Sequence, residues 1–333
     1  MAVKLVDVLR SNVLESSHRG DLAVVTSKGE TLYEVGNSDR LTFFRSASKP
    51  FQMIAALEAG IAEAFRLDLK EIAICLSSHS GEKEHVELLK SMMEKVGIEE
   101  KELTCGIHDP INKEAASELT ALGQKPSKLH CNCSGKHIAL IAAAKAMEAT
   151  MDGYHEKDHE IQRKIDKVVA EFSGVRPVDL IKAYDGCGLP VHAVPLKNIA
   201  QAFANLSDLN FSEGKYKKSQ NYISSAMTMY PEMVAGKGRL DTELMKAFGD
   251  RLIGKIGAEG VYCVSLLGKS VGVALKIEDG NSRAVGPVIL EALLQMKVIE
   301  KEEIERLKGF WKPALLNHNG EHVGVIKPCF KMK

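Results

Sequence analysis

The chain has 333 residues, of which 45% are hydrophobic, and its 44 Lys and Arg residues are balanced by 44 Asp and Glu residues. A formal charge of zero argues against a protein that holds nucleic acid or an anionic membrane, because such binding depends on basic surfaces. The odd number of cysteines, seven, argues against a closed disulfide framework. Charges near the N-terminus and the lack of an apolar run of about 18 residues argue against a secretory signal and a membrane span. We therefore expect a cytoplasmic protein with reduced thiols and about two lobes.

Hydrophobic periodicity predicts short strands near the N-terminus, at 3–10 and in a hairpin over 21–36. A helix is expected at 46–59, followed by a buried strand at 71–77. Further helices are predicted at 82–96, 112–122, 136–148, 156–172, 195–206, 217–234, 241–248 and 284–297. The remaining strands are predicted at 180–184, 260–267 and 270–277.

The order of these elements predicts a mixed α/β (α+β) fold in which an antiparallel sheet is flanked by helices. The predicted strands concentrate at about 1–50 and 250–333, whereas helices fill most of 51–249. We therefore expect a single catalytic unit of two intertwined lobes, one containing the sheet and the other rich in helices. A parallel nucleotide-binding sheet is disfavoured, because neither G-x-G-x-x-G nor a Walker loop follows any predicted strand.

Ser46 and Lys49 form an S-x-x-K motif at the predicted start of the first helix. Residues three apart lie on one face of a helix, so a neutral Lys49 amine can take the Ser46 proton. The helix dipole and the free backbone N–H groups there can stabilise an oxyanion. The motif by itself has low specificity, because it also occurs at Ser80–Lys83 and Ser212–Lys215. The alternative is that Ser46 is a helix N-cap and Lys49 a solvated side chain.

Two later segments follow this motif in the order known from penicillin-binding proteins and serine β-lactamases. Ser78-His79-Ser80 stands in the place of S-x-N, and Lys255-Ile256-Gly257 stands in the place of K-T-G. The letters match in part, since Ser80 replaces the Asn and Ile256 replaces the Thr. A second amine near Lys49 would favour the neutral form of Lys49 through charge repulsion.

The segment Cys131-Asn132-Cys133-Ser134-Gly135-Lys136-His137 is a candidate metal site together with Cys187. Two thiolates from different segments, Cys133 and Cys187, plus one nitrogen ligand suit a tetrahedral zinc with an open position. Lys136 and His137 are both possible nitrogen donors, although deprotonating a lysine at pH 7 costs roughly 4–5 kcal/mol. The alternative is that Cys133 and Cys187 are small hydrophobic residues buried at tight turns.

The other cysteines and most histidines are expected to have no chemical role. Cys75 and Cys263 lie in apolar segments and are expected in the core. Three histidines fall on charged helical faces and are expected to be solvated: His85, His155 and His159.

Six segments, in family order, resemble the Rhizobium-type, thermolabile L-asparaginase II family over about residues 5–330. They are His18-Arg19-Gly20, Arg45-Ser46-Ala47-Ser48-Lys49-Pro50, Ser78-His79-Ser80-Gly81-Glu82, Asn132-Cys133-Ser134-Gly135-Lys136-His137, Asp185-Gly186-Cys187-Gly188-Leu189-Pro190 and Gly257-Ala258-Glu259-Gly260. The resemblance implies a fold similar to serine β-lactamases and glutaminases, and a homodimer. It also implies hydrolysis of a small-molecule substrate, L-asparagine, to L-aspartate and ammonia.

The resemblance further implies roles for individual residues. Ser46 with Lys49 is the first Ser-Lys tandem, and Ser78 with Lys255 is the second. One Zn2+ per subunit, with a structural or substrate-orienting role, is implied to have three ligands: Cys133, Lys136 and Cys187. Three residues are implied to contact the substrate or its water network: Arg45, His137 and Asp185. Cys131 has no role that the resemblance supplies, and it can compete with Cys133 for the metal.

Three other functions remain open from the sequence. The first is a glutaminase that uses the same Ser-Lys machinery. The second is a sensor of β-lactamase fold that is acylated without turnover. The third is a zinc-stapled binding protein that performs no chemistry.

Overall fold

The structure, a computed structural model, describes residues 2–333, in which groups of strands are followed by groups of helices. The strands are β1 (Val3–Arg10), β2 (Val13–Thr26), β3 (Thr31–Val35), β4 (Leu41–Phe43), β5 (Ile181–Tyr184), β6 (Pro190–Pro195), β7 (Leu252–Gly257), β8 (Val261–Leu266), β9 (Val271–Ile277), β10 (Ala314–Leu316) and β11 (His322–Pro328). The helices of the first half are α1 (Lys49–Leu57), α2 (Ile61–Ala64), α3 (Leu69–Cys75), α4 (Lys83–Val96), α5 (Lys113–Ala121), α6 (Ser134–Ala146) and α7 (Glu160–Ser173). The later helices are α8 (Leu196–Ser207), α9 (Lys217–Met229), α10 (Pro231–Val234), α11 (Leu240–Phe248), α12 (Val285–Gln295), α13 (Lys301–Ile304) and α14 (Lys308–Trp311).

The chain divides into two compact units, and the first contains the large sheet. Among the described residues, this unit comprises 2–47, 193–208 and 250–333. Its eight-stranded sheet has the order β10-β11-β1-β2-β9-β8-β7, with β3 also paired to β2. Neighbouring strands along this order run antiparallel, and β7 lies at one edge. The helices α8 and α12 both pack on β8 and β9. Every residue of β8 is therefore buried, as expected for a strand whose sequence is mostly apolar.

The second unit, residues 48–192 and 209–249, is mostly helical. Its core forms where α1 packs on α6 and α7, and where α3 packs on α6 and α9. Two of its helices end as the sequence predicts, because Gly97 and Gly174 adopt the left-handed conformation just after α4 and α7. No helix from Ala2 to Lys333 is both long enough and apolar enough to cross a membrane.

The predicted mixed fold, with an antiparallel sheet and a helix-rich part, is confirmed. The strand predicted at 71–77 is wrong, because this segment forms most of α3. Asp68 caps that helix, and its side chain and that of Glu71 each accept a backbone N–H of the other residue. Residues 193–208, placed in the helix-rich middle from the sequence, belong to the unit that contains the large sheet.

Candidate functional site

Lys49 is the first residue of α1, and its amine is buried among oxygen acceptors of the second unit. The side chain is only 1% exposed. Its Nζ donates to the hydroxyl of Ser78 over 3.0 Å and to the carbonyl of Asn132 over 3.4 Å, and it also contacts the carbonyl of Ser77. Three acceptors match the three hydrogens of an ammonium group.

The Ser78 hydroxyl gives this cluster a second possible arrangement. A hydroxyl can donate or accept, so Ser78 can accept from a charged Lys49 or donate to the lone pair of a neutral one. The two carbonyl oxygens, of Ser77 and Asn132, can accept hydrogens only. A proton can therefore enter or leave the Lys49 amine through Ser78 without a rearrangement of the backbone.

Backbone and carboxylate contacts hold the segment that carries Ser78. The segment follows helix α3, although the sequence predicted that it follows a strand. The Ser78 N–H donates to the carbonyl of Val234 over 2.9 Å. Glu82 accepts from the Ser80 hydroxyl over 2.7 Å and from the Lys237 N–H over 3.0 Å.

Two thiols and an amine converge in the same unit. Cys133 immediately precedes α6, Lys136 lies in the first turn of that helix, and Cys187 lies in the turn before β6. Lys136 Nζ lies 3.3 Å from Cys187 Sγ, and the thiols of Cys133 and Cys187 are hydrogen-bonded to each other. All three side chains are buried. The side chains predicted as metal ligands are therefore brought together.

The charges in this cluster are coupled. Hydrogen bonds with Cys131, the larger effect, and with Cys187 hold the pKa of the Cys133 thiol well below its usual range. Burial acts to lower the pKa of Lys136, but attraction to Cys187 and Cys133 outweighs burial and raises it above its ordinary value. Lys136 is therefore a charged ammonium group beside the Cys187 thiol. Among residues 2–333, no group of three or more His, Cys, Asp or Glu side chains forms a metal-binding cluster, and here the third donor is an amine.

His137 and Asp185 flank the thiol and amine cluster. His137 is completely buried on α6, its Nδ1 lies 2.6 Å from the hydroxyl of Tyr154, and burial lowers its pKa to about 3. His137 is therefore a neutral side chain at physiological pH. Asp185 is half-buried, accepts from the Gly186 N–H over 2.7 Å, and contributes to the raised pKa of Lys136.

The other three predicted site residues, Arg45, Ser46 and Lys255, belong to the first unit. Arg45 has a positive φ of 51°, which is uncommon for a residue other than glycine, and opens a 3₁₀ turn that contains Ser46. Lys255 is fully buried on β7. Gly257 shares its face of the strand, and a Cβ there would lie 2.7 Å from the carbonyl oxygen of Phe44. Within this unit, β7 thus approaches the residue that precedes Arg45.

The sequence profile described as L-asparaginase II matches residues 6–328. The chain belongs to this family. No curated protein sequence shows a significant match to the chain.

Several solved structures are similar to parts of this chain. A structure of Mglu in its native form is 16% identical, covers 85% of this chain and has a TM-score of 0.47. The chain spans 65% of the length of that Mglu structure. A candidate β-lactamase from Bacteroides dorei DSM 17855 is 14% identical, with 82% of this chain and 92% of the other covered and a TM-score of 0.41. A Bacillus glutaminase is 14% identical, with 84% and 91% covered and a TM-score of 0.38.

Within this member of the L-asparaginase II family, Asn132 connects the Lys49 cluster to the thiols. Its backbone carbonyl accepts from Lys49, and its side-chain oxygen accepts from the Cys133 thiol over 3.1 Å. No role was predicted for Asn132 from the sequence, although it lies inside the Asn132–His137 motif. Tyr154 and Thr104 were also missed, because neither belongs to a recognisable motif.

The structure corrects or clarifies three expectations about structural residues. The prediction that His85 is solvated is wrong, since it is 1% exposed and accepts from the Glu82 N–H over 3.1 Å. The core positions of Cys75 and Cys263 are confirmed, with exposures of 2% and 0%. Cys131 is hydrogen-bonded to both Cys105 and Cys133, so its thiol is a neighbour of the thiol it was expected to rival.

Proposed function

We propose that the protein is an L-asparaginase, which hydrolyses L-asparagine to L-aspartate and ammonia through a serine nucleophile activated by lysine. The observation that carries the proposal is the buried Lys49 amine with the Ser78 hydroxyl 3.0 Å away. A buried amine with a hydroxyl through which a proton can pass has the properties of a general base. Ser46, three residues before Lys49, is the proposed nucleophile.

The reaction proceeds in two halves. Ser46 Oγ attacks the side-chain amide carbon of asparagine while neutral Lys49 takes the serine proton, and the carbonyl oxygen becomes an oxyanion. Lys49 then gives that proton to the leaving nitrogen, the C–N bond breaks, and ammonia departs from a β-aspartyl ester. In the second half Lys49 deprotonates water, which attacks the ester carbon, and the proton returns to Ser46 as aspartate leaves.

Neighbouring groups support these proton transfers. Ser78 passes a proton to or from Lys49, and the second amine, Lys255, favours the neutral form of Lys49 by repulsion. Backbone N–H groups at the start of α1 stabilise the oxyanion. Ser46 and Lys255 belong to the first unit, and Lys49 and Ser78 belong to the second.

The charged groups among the proposed site residues have the chemistry needed to select an amino acid. An asparagine zwitterion presents an α-ammonium and an α-carboxylate. Asp185 pairs with the ammonium, and Arg45 offers a guanidinium to a carboxylate, so that simple amides lacking these charges are disfavoured. His137 contributes a neutral hydrogen-bonding group.

The thiol and amine cluster fits the zinc that the family resemblance implies. Cys133, Lys136 and Cys187 would hold the ion, because soft sulfur and nitrogen donors suit zinc and three protein ligands leave one position open. A bound zinc ion supplies positive charge and an open coordination position that orients the substrate. Loading requires the ligands to lose their protons, so the ammonium of Lys136 must release its proton to the solvent.

Elemental analysis tests the metal site separately from activity. We expect about one zinc per wild-type chain and a loss of zinc in both Cys133→Ser and Cys187→Ser. Cys131→Ser is the matched control and should keep the metal. Stoichiometric zinc in both ligand variants would show that the site is wrong, and a loss of zinc in Cys131→Ser would make Cys131 a ligand.

Ser46→Ala tests the nucleophile. We expect ammonia release from asparagine to fall by about 10⁴-fold or more, with an unchanged melting temperature. Ser117→Ala, an exposed change on α5, is the control and should behave as wild type. Near-normal turnover in Ser46→Ala would refute the assignment. Parallel assays decide the substrate, since faster ammonia release from glutamine would make the protein a glutaminase, and a burst of one equivalent without turnover would indicate a sensor.

A further inference from the structure

The environment of His137 contains a chain of hydrogen bonds that the proposed mechanism does not use. The Tyr154 hydroxyl lies 2.6 Å from His137 Nδ1, and its oxygen accepts a hydrogen bond from the Thr104 backbone N–H over 2.9 Å. The Thr104 hydroxyl also donates to the Tyr154 oxygen over 2.9 Å. The two rings meet edge to face, with centroids 5.7 Å apart. All three residues belong to the same unit.

The available hydrogens show which group donates in each hydrogen bond among Thr104, Tyr154 and His137. The Tyr154 oxygen accepts the N–H and hydroxyl hydrogens of Thr104, and the Thr104 hydroxyl oxygen lies 3.4 Å from His137 Nδ1, so the Tyr154 hydroxyl is the nearer donor to that nitrogen. A separation of 2.6 Å agrees with this direction, because it falls within the range of O–H donors and below that of N–H donors. Burial raises the pKa of Tyr154 to about 12, so the hydroxyl keeps its hydrogen at neutral pH.

The other ring nitrogen of His137 must then carry the hydrogen of the neutral imidazole. Nε2 is buried, and it has no hydrogen-bond partner in the part of the chain that the structure describes. A buried donor without a partner is costly unless a ligand satisfies it. A protonated Nε2 also lacks the lone pair that a metal ion needs. Of the two candidate nitrogen ligands, His137 and Lys136, this leaves Lys136.

We propose that Tyr154, together with Thr104, is a positioning residue that fixes His137 as its Nε2–H tautomer, so that this buried N–H donates to a carbonyl or carboxylate oxygen of the bound substrate. The inference rests on the proposed function for the identity of the substrate, but the tautomer is independent of it. His137 thus serves as a fixed neutral donor and exchanges no proton during turnover.

Nitrogen NMR of the intact protein with labelled histidine tests the tautomer directly. We expect the His137 resonances of a bare Nδ1 and a protonated Nε2, assigned by their disappearance in His137→Gln. In Tyr154→Phe, which keeps the ring but removes the donor, the signals should move toward a mixture of tautomers. A wild-type spectrum with a protonated Nδ1 and a bare Nε2 would overturn the proposal.

Steady-state kinetics tests the substrate contact. Tyr154→Phe should raise the KM for asparagine about tenfold and leave kcat within about twofold, because the lost hydrogen bond acts in binding. Tyr222→Phe is the matched control with wild-type constants. In a His137→Gln background, whose amide has no tautomer to fix, the same change should alter KM by less than about twofold.

The two experiments separate the possible failures. Wild-type KM in Tyr154→Phe together with a mixed tautomer would show that the Nε2–H does not contact the substrate. An equal rise in KM in the His137→Gln background would show that Tyr154 acts only through general packing. If the wild-type protein releases no ammonia from asparagine, the substrate contact falls with the proposed function, and the spectrum alone decides the tautomer.

Discussion

Replacing Gly135 with alanine is expected to disturb the site through a single backbone contact. Gly135 lies in the first turn of α6, between Cys133 and Lys136, and α6 packs there against α3. A Cβ at this position would lie 2.2 Å from the carbonyl oxygen of Ile74, whereas ordinary contact begins at 3.4 Å. The first turn of α6 must therefore move by about 1.2 Å relative to α3, because the new Cβ and the Ile74 carbonyl oxygen are both fixed to the backbone.

Two opposing effects determine the change in the free energy of unfolding. Alanine in place of a helical glycine ordinarily stabilises a helix by about 1 kcal/mol. Overpacking of this kind costs about 1–3 kcal/mol. We expect the clash to dominate, with a net loss of up to about 2 kcal/mol and a fall in melting temperature of up to about 8 °C.

Gly135→Ala should impair the rate of ammonia release more severely than it impairs the free energy of unfolding. A displacement near 1 Å in a group that positions the substrate costs about 100-fold in rate. The shift moves Lys136 and His137 relative to Ser77 and Ser78, which follow α3. Ammonia release measured below the melting transition should therefore fall by about two orders of magnitude.

Gly309→Ala is the matched control, because this helical glycine has open space around its Cβ position. We expect it to be neutral or slightly stabilising and fully active. Wild-type stability and activity in Gly135→Ala would refute the close approach of α6 to the end of α3. A loss of stability without a loss of activity would show that the first turn of α6 does not position the site.

Two further predictions concern the dependence of stability on pH. Burial acts to raise the pKa of Asp166, but hydrogen bonds with His192 and Lys182 outweigh burial and lower the pKa from 3.8. The ionised Asp166 therefore stabilises the folded protein above pH 3.8, and this stabilisation is lost as the pH falls through the lowered pKa. The difference in unfolding free energy between wild type and Asp166→Asn, measured in urea from about pH 7 to about pH 3, should shrink toward zero at the acid end; a constant difference would contradict the ion pair. Burial lowers the pKa of His85 from 6.5, so the unfolded chain takes up the proton first and stability falls as the pH drops below 6.5. His85→Gln should lose less stability than wild type between about pH 7 and about pH 5, and equal slopes would show that His85 is not buried as a neutral group.

Local signals in the sequence were sufficient to predict many element boundaries. The ends of α4 and α7 follow from Gly97 and Gly174, because glycine adopts the left-handed conformation that ends a helix at little cost. The order of the motifs was also sufficient to predict the L-asparaginase II family, which the match over residues 6–328 confirms.

Burial was harder to predict from the sequence. The apolar run at 71–77 suits a buried strand and a buried helix equally well, and the signal for a helix lay outside the run, in the capping pair of Asp68 and Glu71. His85 lies among charged residues of α4, yet packing buries it against His79, with ring centroids 5.2 Å apart. A pattern along one helix cannot show which neighbour covers that helix.

The residue types of the candidate site, their order and several helix ends can be read from the amino-acid sequence. Which of these residues are neighbours depends on how the helices and strands pack. Packing brings the Cys133 and Cys187 thiols within hydrogen-bond distance and connects Lys49 to Cys133 through Asn132. It also places the Tyr154 hydroxyl within hydrogen-bond distance of His137 Nδ1. These contacts link residues that are distant along the chain or have no motif, and hydrogen bonds depend on distances of about 3 Å that only the packed fold sets.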